Sequence, residues 1–292
     1  MPEHHLITPQ LLRSWPLPAP TGGKESRGRI LIVGGSAEVP GAVLLAAEAA
    51  LRAGAGKLQI ATVASIAGSL SVRVPEALVR ALDETPSGAV AADAAERVLD
   101  LAEGASVVLV GPGMTDAEET QGFTDRLLKH LECSVVLDAL GMASVTADAA
   151  CLHPLQGQAV LTPNPKELAI ALHREFADVE ADPAGAALEL ARQAQATVGL
   201  GGATSWIASP TGSLWCDQSG GAGLGVSGSG DVRAGVTAGL LARGAEPDQA
   251  AAWAAHLHGR AGERLAAAVG KLGFLARELP AEIPRVQEEI EL

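Results

Sequence analysis

Two spacings of apolar residues alternate along the chain. Short unbroken apolar runs end in glycine, and longer stretches place apolar residues three and four apart. Residues 29–33 form such a run, ending at Gly34-Gly35-Ser36, which predicts a buried strand followed by a turn. Over 41–53, Val43, Leu44, Ala47, Ala50 and Leu51 share one helical face, and Gly54 and Gly56 stop the helix. Residues 57–62 predict a second strand. The three together read as a β-α-β unit, which calls for a parallel sheet and a right-handed crossover. The same alternation predicts helices over 91–103, 118–131 and 184–196, and strands over 106–110, 134–137, 158–161 and 197–200. Pro210-Thr211-Gly212 lies between apolar runs at 206–208 and 213–216, a hairpin signal. Helices over 233–244 and 248–268 follow a glycine-rich segment at 220–230. No linker-like or low-complexity block divides the chain, so the expectation is one domain over 1–292. Its fold class is α/β, a three-layer α/β/α sandwich with a mostly parallel central sheet.

Composition sharpens that picture. Aromatic residues are 2 % of the chain and Tyr is absent, so the core must be built from Val, Leu, Ile and Ala. Small side chains suit helices packed closely on a parallel sheet. The formal charge of −13 argues against nucleic acid or an anionic membrane as partner. A local cradle can still hold a small phosphorylated ligand. Cys133, Cys151 and Cys216 show no metal-type spacing, and a sparse, odd set suits a reducing cytosol. No signal peptide or bilayer-spanning run is visible. The expectation is a cytoplasmic protein with no membrane contact.

The unusual residues gather at the C-terminal ends of predicted strands: Gly34-Gly35-Ser36, Gly111-Pro112-Gly113, Asp138, and Asn164 to Glu167. Open α/β sheets hold their ligands at that edge. Residues 225–232, Gly-Val-Ser-Gly-Ser-Gly-Asp-Val, place an acid directly after a run of small residues and ahead of a helix. Such a turn lets backbone N–H groups approach an anion at the positive end of the helix dipole. A carboxylate there repels phosphate, so removing a proton from an attacking hydroxyl is the role that fits Asp231. The competing reading is an Asp that caps a helix behind a flexible loop. His256 and His258, two apart on a helix, do not share a face and read as structural or surface residues. Trp206 and Trp215 read as core packing beside the hairpin, Cys133 and Cys151 as plain buried side chains, and 288–291 as a solvated face.

With these residues in order, the chain resembles the ADP/ATP-dependent NAD(P)H-hydrate dehydratases, a branch of the ribokinase-like superfamily. The resemblance runs from about Gly28 to about Glu288. It rests on Gly34-Gly35-Ser36 with Pro40-Gly41-Ala42, Ala53-Gly54-Ala55-Gly56, Pro75-Glu76-Ala77-Leu78 and Gly111-Pro112-Gly113. Asp138-Ala139, Leu161 through Glu167, Gly228-Ser229-Gly230-Asp231 and His258-Gly259-Arg260-Ala261-Gly262 complete it. The resemblance implies a metabolite-repair lyase. Hydrated NADH or NADPH would be phosphorylated on its ring hydroxyl by ADP, giving AMP, and would then lose phosphate; eukaryotic relatives use ATP.

By the same resemblance Asp231 is the general base. Ala42, Gly113, Asn164 and Asp231 would line the hydrated dinucleotide. Gly201, Gly202, Ala203, Thr204 and Ser205, with Gly228, Ser229 and Gly230, would hold the adenine nucleotide. Mg²⁺ would bridge phosphate oxygens with no direct protein ligand, reached through water by Glu167 and Asp138. Glu167 has an alternative as a first-turn helix acid, and Asp138 as a cap for the next segment. The family analogy implies a homo-oligomer, a tetramer, and a separate NAD(P)H-hydrate epimerase, because no room precedes Gly28 for a fused N-terminal epimerase domain.

Four positions depart from the family's pattern. Asn164 stands for a usual His, Gly201-Gly202 for a Lys-Gly pair, Gly221 for an Asn, and Asp138-Ala139-Leu140 keeps only the first acid. Arg233, where an apolar residue is common, adds a charge that can partly replace the lysine. Each lost charged hydrogen bond weakens binding by about 1.5–3 kcal/mol, roughly ten- to a hundred-fold. A ribokinase-like small-molecule kinase, or a nucleotide-binding homologue with weakened catalysis, are the alternative readings.

Overall fold

The structure is a computed structural model that describes residues 3–19 and 22–292. Its strands are β1 (His5–Leu6), β2 (Arg29–Val33), β3 (Lys57–Val63), β4 (Ala77–Leu82), β5 (Val107–Val110), β6 (Ser134–Leu137), β7 (Ala159–Leu161), β8 (Thr197–Leu200), β9 (Ser205–Ala208) and β10 (Leu214–Asp217). They form one sheet in the order β1-β10-β9-β8-β7-β6-β5-β2-β3-β4. Neighbours from β4 through to β8 pair in parallel, β9 runs antiparallel to β8 and β10, and β1 joins β10 in parallel.

Alternation along the central strands feeds two cores. Ile30 and Ile32 of β2 join one cluster, and Leu31 and Val33 the other. On the first face lie the helices Pro40–Arg52, Ser229–Ala242, Pro247–Ala268 and Leu279–Glu291. On the second lie Ala95–Ala102, Ala117–Leu128 and Pro183–Ala194. The mostly parallel three-layer α/β/α architecture is therefore present. From β2 the chain builds outward to β3 and β4 on one side and from β5 to β8 on the other. The switch between β2 and β5 is where such sheets open a crevice at their C-terminal ends.

Two helices that frame this crevice pack with almost no side chain between them. A Cβ at Gly235 would lie 2.3 Å from the carbonyl oxygen of Ala46, and one at Gly239 2.5 Å from that of Ala50. The contacts advance together, so Ser229–Ala242 and Pro40–Arg52 run parallel and start at the same sheet edge. This is the structural use of the chain's abundant Ala and Gly.

Several elements differ from the sequence expectation. The helix expected over 91–103 opens with a 3₁₀ turn, Ala92–Ala94, before Ala95–Ala102. The helix Ala64–Arg73 buries only Leu70, and its Ser- and Gly-rich sequence carries little helical periodicity. β4 sits at the sheet edge, largely open to solvent, and its apolar run is interrupted by Arg80. β1 is a two-residue strand in the proline-rich lead. The acidic 288–291 segment is the end of the helix Leu279–Glu291, and its Ile290 points inward with Leu279, Ile283 and Val286. Among the described residues no helix is long and apolar enough to cross a membrane.

Candidate functional site

On the β2/β5 side the site is made of backbone. The Gly35 N–H donates to the Pro112 carbonyl at 2.7 Å, clasping the loops that leave β2 and β5. Gly113 has φ +70°, and a Cβ there would lie 2.4 Å from the Val39 carbonyl oxygen and 2.9 Å from the Ala42 Cβ. Only glycine fits that conformation and that gap. Gly113 and buried Ala42 are thus brought into contact at the start of the helix Pro40–Arg52.

The turn before Asp231 lies at the mouth of the crevice. Gly228, with φ +90°, is the N-cap of the helix Ser229–Ala242, which puts Asp231 at its third position rather than ahead of it. The opening N–H groups of a helix have no acceptor within it; here that of Ser229 is taken by the Val226 carbonyl at 3.1 Å, and the next ones face outward. A Cβ on Gly230 would meet nothing within 4 Å, so room for an anion lies in front of them. From below, the Ser229 hydroxyl pairs with His258 Nε2 at 2.9 Å. Burial, with the Arg233 charge adding to it, pushes His258 down to about 3, so this support stays neutral. His256 instead pairs through Nδ1 with Asp217 at 2.7 Å, and its buried Nε2 has no partner among the described residues. The two histidines therefore serve different neighbours. His256 is a structural residue, whereas His258 buttresses the Asp231 turn, a role that no local sequence signal announces.

On the β6/β7/β8 side the site is made of charge. Asp138, at the end of β6 and 5 % exposed, accepts a 2.6 Å hydrogen bond from the Thr162 hydroxyl. Burial raises its pKa, against the pull of Thr162 and Arg233. Asn164 caps the helix Pro165–Ala171: its Oδ1 accepts from the N–H groups of Lys166 (2.9 Å) and Glu167 (3.0 Å), while Glu167 Oε2 accepts from the Asn164 N–H at 2.9 Å. This reciprocal box explains Asn at a helix start and gives Glu167 a structural partner through one oxygen. Burial raises Glu167, its bond to Asn164 lowers it, and the Asp138 charge raises it further. Asp231, half-buried and facing the charges of Asp138 and Glu167, is pushed up to about 7, with burial the largest cause.

Arg233 runs back under the strand ends, 9 % exposed, and its Nη2 donates to the carbonyls of Thr162 (3.0 Å) and Pro163 (3.3 Å). The Gly201 N–H also donates to Pro163 at 2.9 Å, which draws the 201–205 turn alongside the Asn164 box. Ser205 opens β9 opposite Asp217. No group of three or more Asp, Glu, His or Cys among the described residues is arranged to hold a metal ion. A divalent ion here would rely on phosphate oxygens and water, a set that suits Mg²⁺.

A groove of about 990 Å³ runs from Gly41, Val226 and Ser227 along Leu44, Leu45 and Leu51, lined also by Arg27, Arg73 and Arg277, by Arg52 paired with Glu48, and by Glu76. Gly228 separates it from the acid: a Cβ there would lie 2.4 Å from Leu45 Cδ1 and 3.9 Å from Asp231 Oδ2. The tryptophans are used for packing. Trp206 is buried edge-on to His4, and Trp215 stacks on Trp15 at 5.4 Å. Cys133 and Cys151 are half-buried free thiols rather than fully buried ones, and burial pushes Cys151 up to about 12.

Residues 30–285 match a family model described as NAD(P)H-hydrate dehydratase. The ADP-dependent (S)-NAD(P)H-hydrate dehydratase of Xanthomonas campestris pv. campestris is 46 % identical over 290 residues, covering 99 % of this chain and 98 % of that protein. The bifunctional NAD(P)H-hydrate repair enzyme Nnr of Moorella thermoacetica is 36 % identical over 93 % of this chain but 52 % of its own length, so the chain spans about half of that relative. Among solved structures, the ADP/ATP-dependent NAD(P)H-hydrate dehydratase from Bacillus subtilis, co-crystallized with ATP and Mg²⁺, superposes with a TM-score of 0.83 at 28 % identity, over 99 % of both chains.

Proposed function

We propose, for a chain that belongs to the NAD(P)H-hydrate dehydratase family, that it restores hydrated NADH and NADPH at the expense of ADP. Hydroxide is a poor leaving group and phosphate a good one. The ring hydroxyl is therefore first converted to a phosphate ester and then eliminated. In the first half, the Asp231 carboxylate takes the hydroxyl proton while the hydroxyl oxygen bonds to the β-phosphorus of ADP and AMP departs. In the second, the carbon–oxygen bond breaks, inorganic phosphate leaves and a ring proton is lost, which re-forms the double bond.

The observation that carries this reading is Asp231 itself. It is half-buried at the mouth of an anion-holding turn, with a pKa raised to about 7. A base poised near the working pH combines availability with proton affinity. The backbones of Gly228 and Gly230 face the place where negative charge develops on the phosphoryl group. Ala42 and Gly113 line the hydrated ring, with Asn164 beside it. The remainder of the dinucleotide extends along the arginine-lined groove. Residues 201–205 receive the adenine nucleotide. Mg²⁺, bound through phosphate oxygens and reached by Asp138 and Glu167 through water, would neutralise charge on the transferred group. The reading further implies a single cytoplasmic domain in a homo-oligomer, with an epimerase as metabolic partner.

The test is to incubate hydrated NADH with the protein, Mg²⁺ and either ADP or ATP, and to follow absorbance of the restored dihydronicotinamide. Recovery with ADP is expected. Absence of recovery with both nucleotides rejects the reading, and a stable phosphorylated product in place of released phosphate assigns a kinase instead.

A further inference from the structure

Arg233 is a buried cation that feels the charges of Asp138 and Glu167 but bonds directly to neither among the described residues. None of the ion pairs within 4.0 Å among the described residues includes it. Its nearest bonded partners are two neutral carbonyls, both on Nη2. A guanidinium taken out of water in this way is costly unless a partner meets it. Nη1 has no bonded partner among the described residues, yet it is not sealed in. Among the described residues, the fully enclosed side-chain polar atoms lacking a partner are Thr62 Oγ1 and His256 Nε2. What lies beside Nη1 is Gly201. A Cβ added there would stand 2.2 Å from Nη1 and 2.7 Å from Cζ, so the guanidinium occupies the space that any side chain at 201 would enter.

We infer that Arg233 is the phosphate-binding cation of the nucleotide site, presented through the gap that Gly201 leaves at the end of β8. This rests on the reading of residues 201–205 as the nucleotide edge. Position and chemistry agree on the ligand class. Asp231 and Arg233 stand two apart on one helix, so they point to different sides, the acid toward the crevice mouth and the guanidinium toward the strand ends. Asp138, Glu167 and Asp231 together would repel a nucleoside diphosphate, and Arg233 sets a fixed positive charge among them. The planar fork offers two parallel donors to phosphate oxygens. The two carbonyls on Nη2 hold it in place. The strand end and the helix thus exchange roles: the strand supplies space, and the helix supplies charge.

Calorimetry of ADP and of adenosine binding to the protein, without the hydrated substrate, tests this. Arg233→Met should weaken ADP roughly ten- to a hundred-fold, the loss of a charged hydrogen bond, and leave adenosine unchanged. Gly201→Ala, which keeps the charge but drives it out of the gap, should give the same phosphate-selective loss and covers the case in which Arg233→Met does not fold. The double change Gly201→Lys with Arg233→Val should recover most of the ADP affinity by returning an ammonium from the strand. Unchanged ADP affinity in either single variant, or an equal loss for ADP and adenosine, overturns the inference. Failure of the proposed reaction shows separately, as ADP binding without recovery of dihydronicotinamide in the unaltered protein, and would leave the role of Arg233 standing. Absence of ADP binding to the unaltered protein overturns both.

Discussion

The two sides of the crevice are built on opposite principles. Where β2 and β5 end, the walls are backbone, and their residue identities record the absence of side chains: Gly113 against Ala42, and Gly35 against Pro112. Where β6, β7 and β8 end, the walls are ionisable groups whose effects depend on one another: Asp138, Glu167, Arg233 and, facing them, Asp231. The backbone side tolerates almost no substitution because an added atom has nowhere to go. The charged side can be rebuilt, because a charge can be delivered from more than one element to the same place. Gly201 brings no charge to the end of β8, and the Arg233 guanidinium fills the space beside it.

The acid that sits between the two sides should give the largest effect when changed. Asp231→Asn is expected to lower kcat by about 10²–10⁴-fold, the usual contribution of a general base, while calorimetric ADP binding persists. Near-wild-type turnover would place the base elsewhere. The pH dependence of the unaltered enzyme follows from the same group. Its kcat/KM should fall as pH drops below about 7, where Asp231 takes up a proton. Stability should move the other way. Asp231 is raised from 3.8 to about 7, so between those values the folded state binds more protons than the unfolded one. Stability conferred by the protonated acid is therefore full below about pH 4 and lost progressively up to about pH 7. Asp231→Asn should raise the Tm of the ligand-free protein at pH 8, with the gain shrinking toward pH 4. A Tm difference independent of pH would contradict the shift.

A change confined to the backbone side should be smaller and selective. Gly113→Ala forces φ +70° on a residue with a Cβ only 2.4 Å from the Val39 carbonyl. It should cost about 1–3 kcal/mol in denaturant unfolding and raise KM for hydrated NADH, with ADP affinity preserved. Equal damage to both ligands would show that the two sides are not separable. The smallest effect is expected at Asn164. Asn164→Ala removes the helix cap and should cost about 1 kcal/mol of unfolding free energy, with kcat within a few-fold of wild type. A collapse of activity would mean that Asn164 touches substrate through its amide nitrogen more strongly than it serves the helix.

How much of this could be read from the chain follows the same division. β2 is enclosed on both faces, so Ile30 to Val33 appear as an unbroken apolar run. β4 at the edge has its apolar run broken by Arg80, and Ala64–Arg73, with one buried residue, has little periodicity. The glycines of the β2 and β5 loops and the Gly228 turn are local demands and stand out locally. The Ser229–His258 pair and the Gly201–Arg233 fit join distant elements, so each residue stands out in its own segment but the pairing does not. The Asn164–Glu167 box is local, but its sequence suited a ligand-binding strand end as well as a helix start.

One consequence follows from the contact of Gly235 with Ala46 and of Gly239 with Ala50. Two rods that touch along their spines cannot be pried apart at one point without their tips moving. A methyl group added two turns beneath the surface would shift the Asp231 end of one rod relative to the Ala42 end of the other. In an assay such a lesion would look like a damaged reaction centre, although it lies where no ligand reaches.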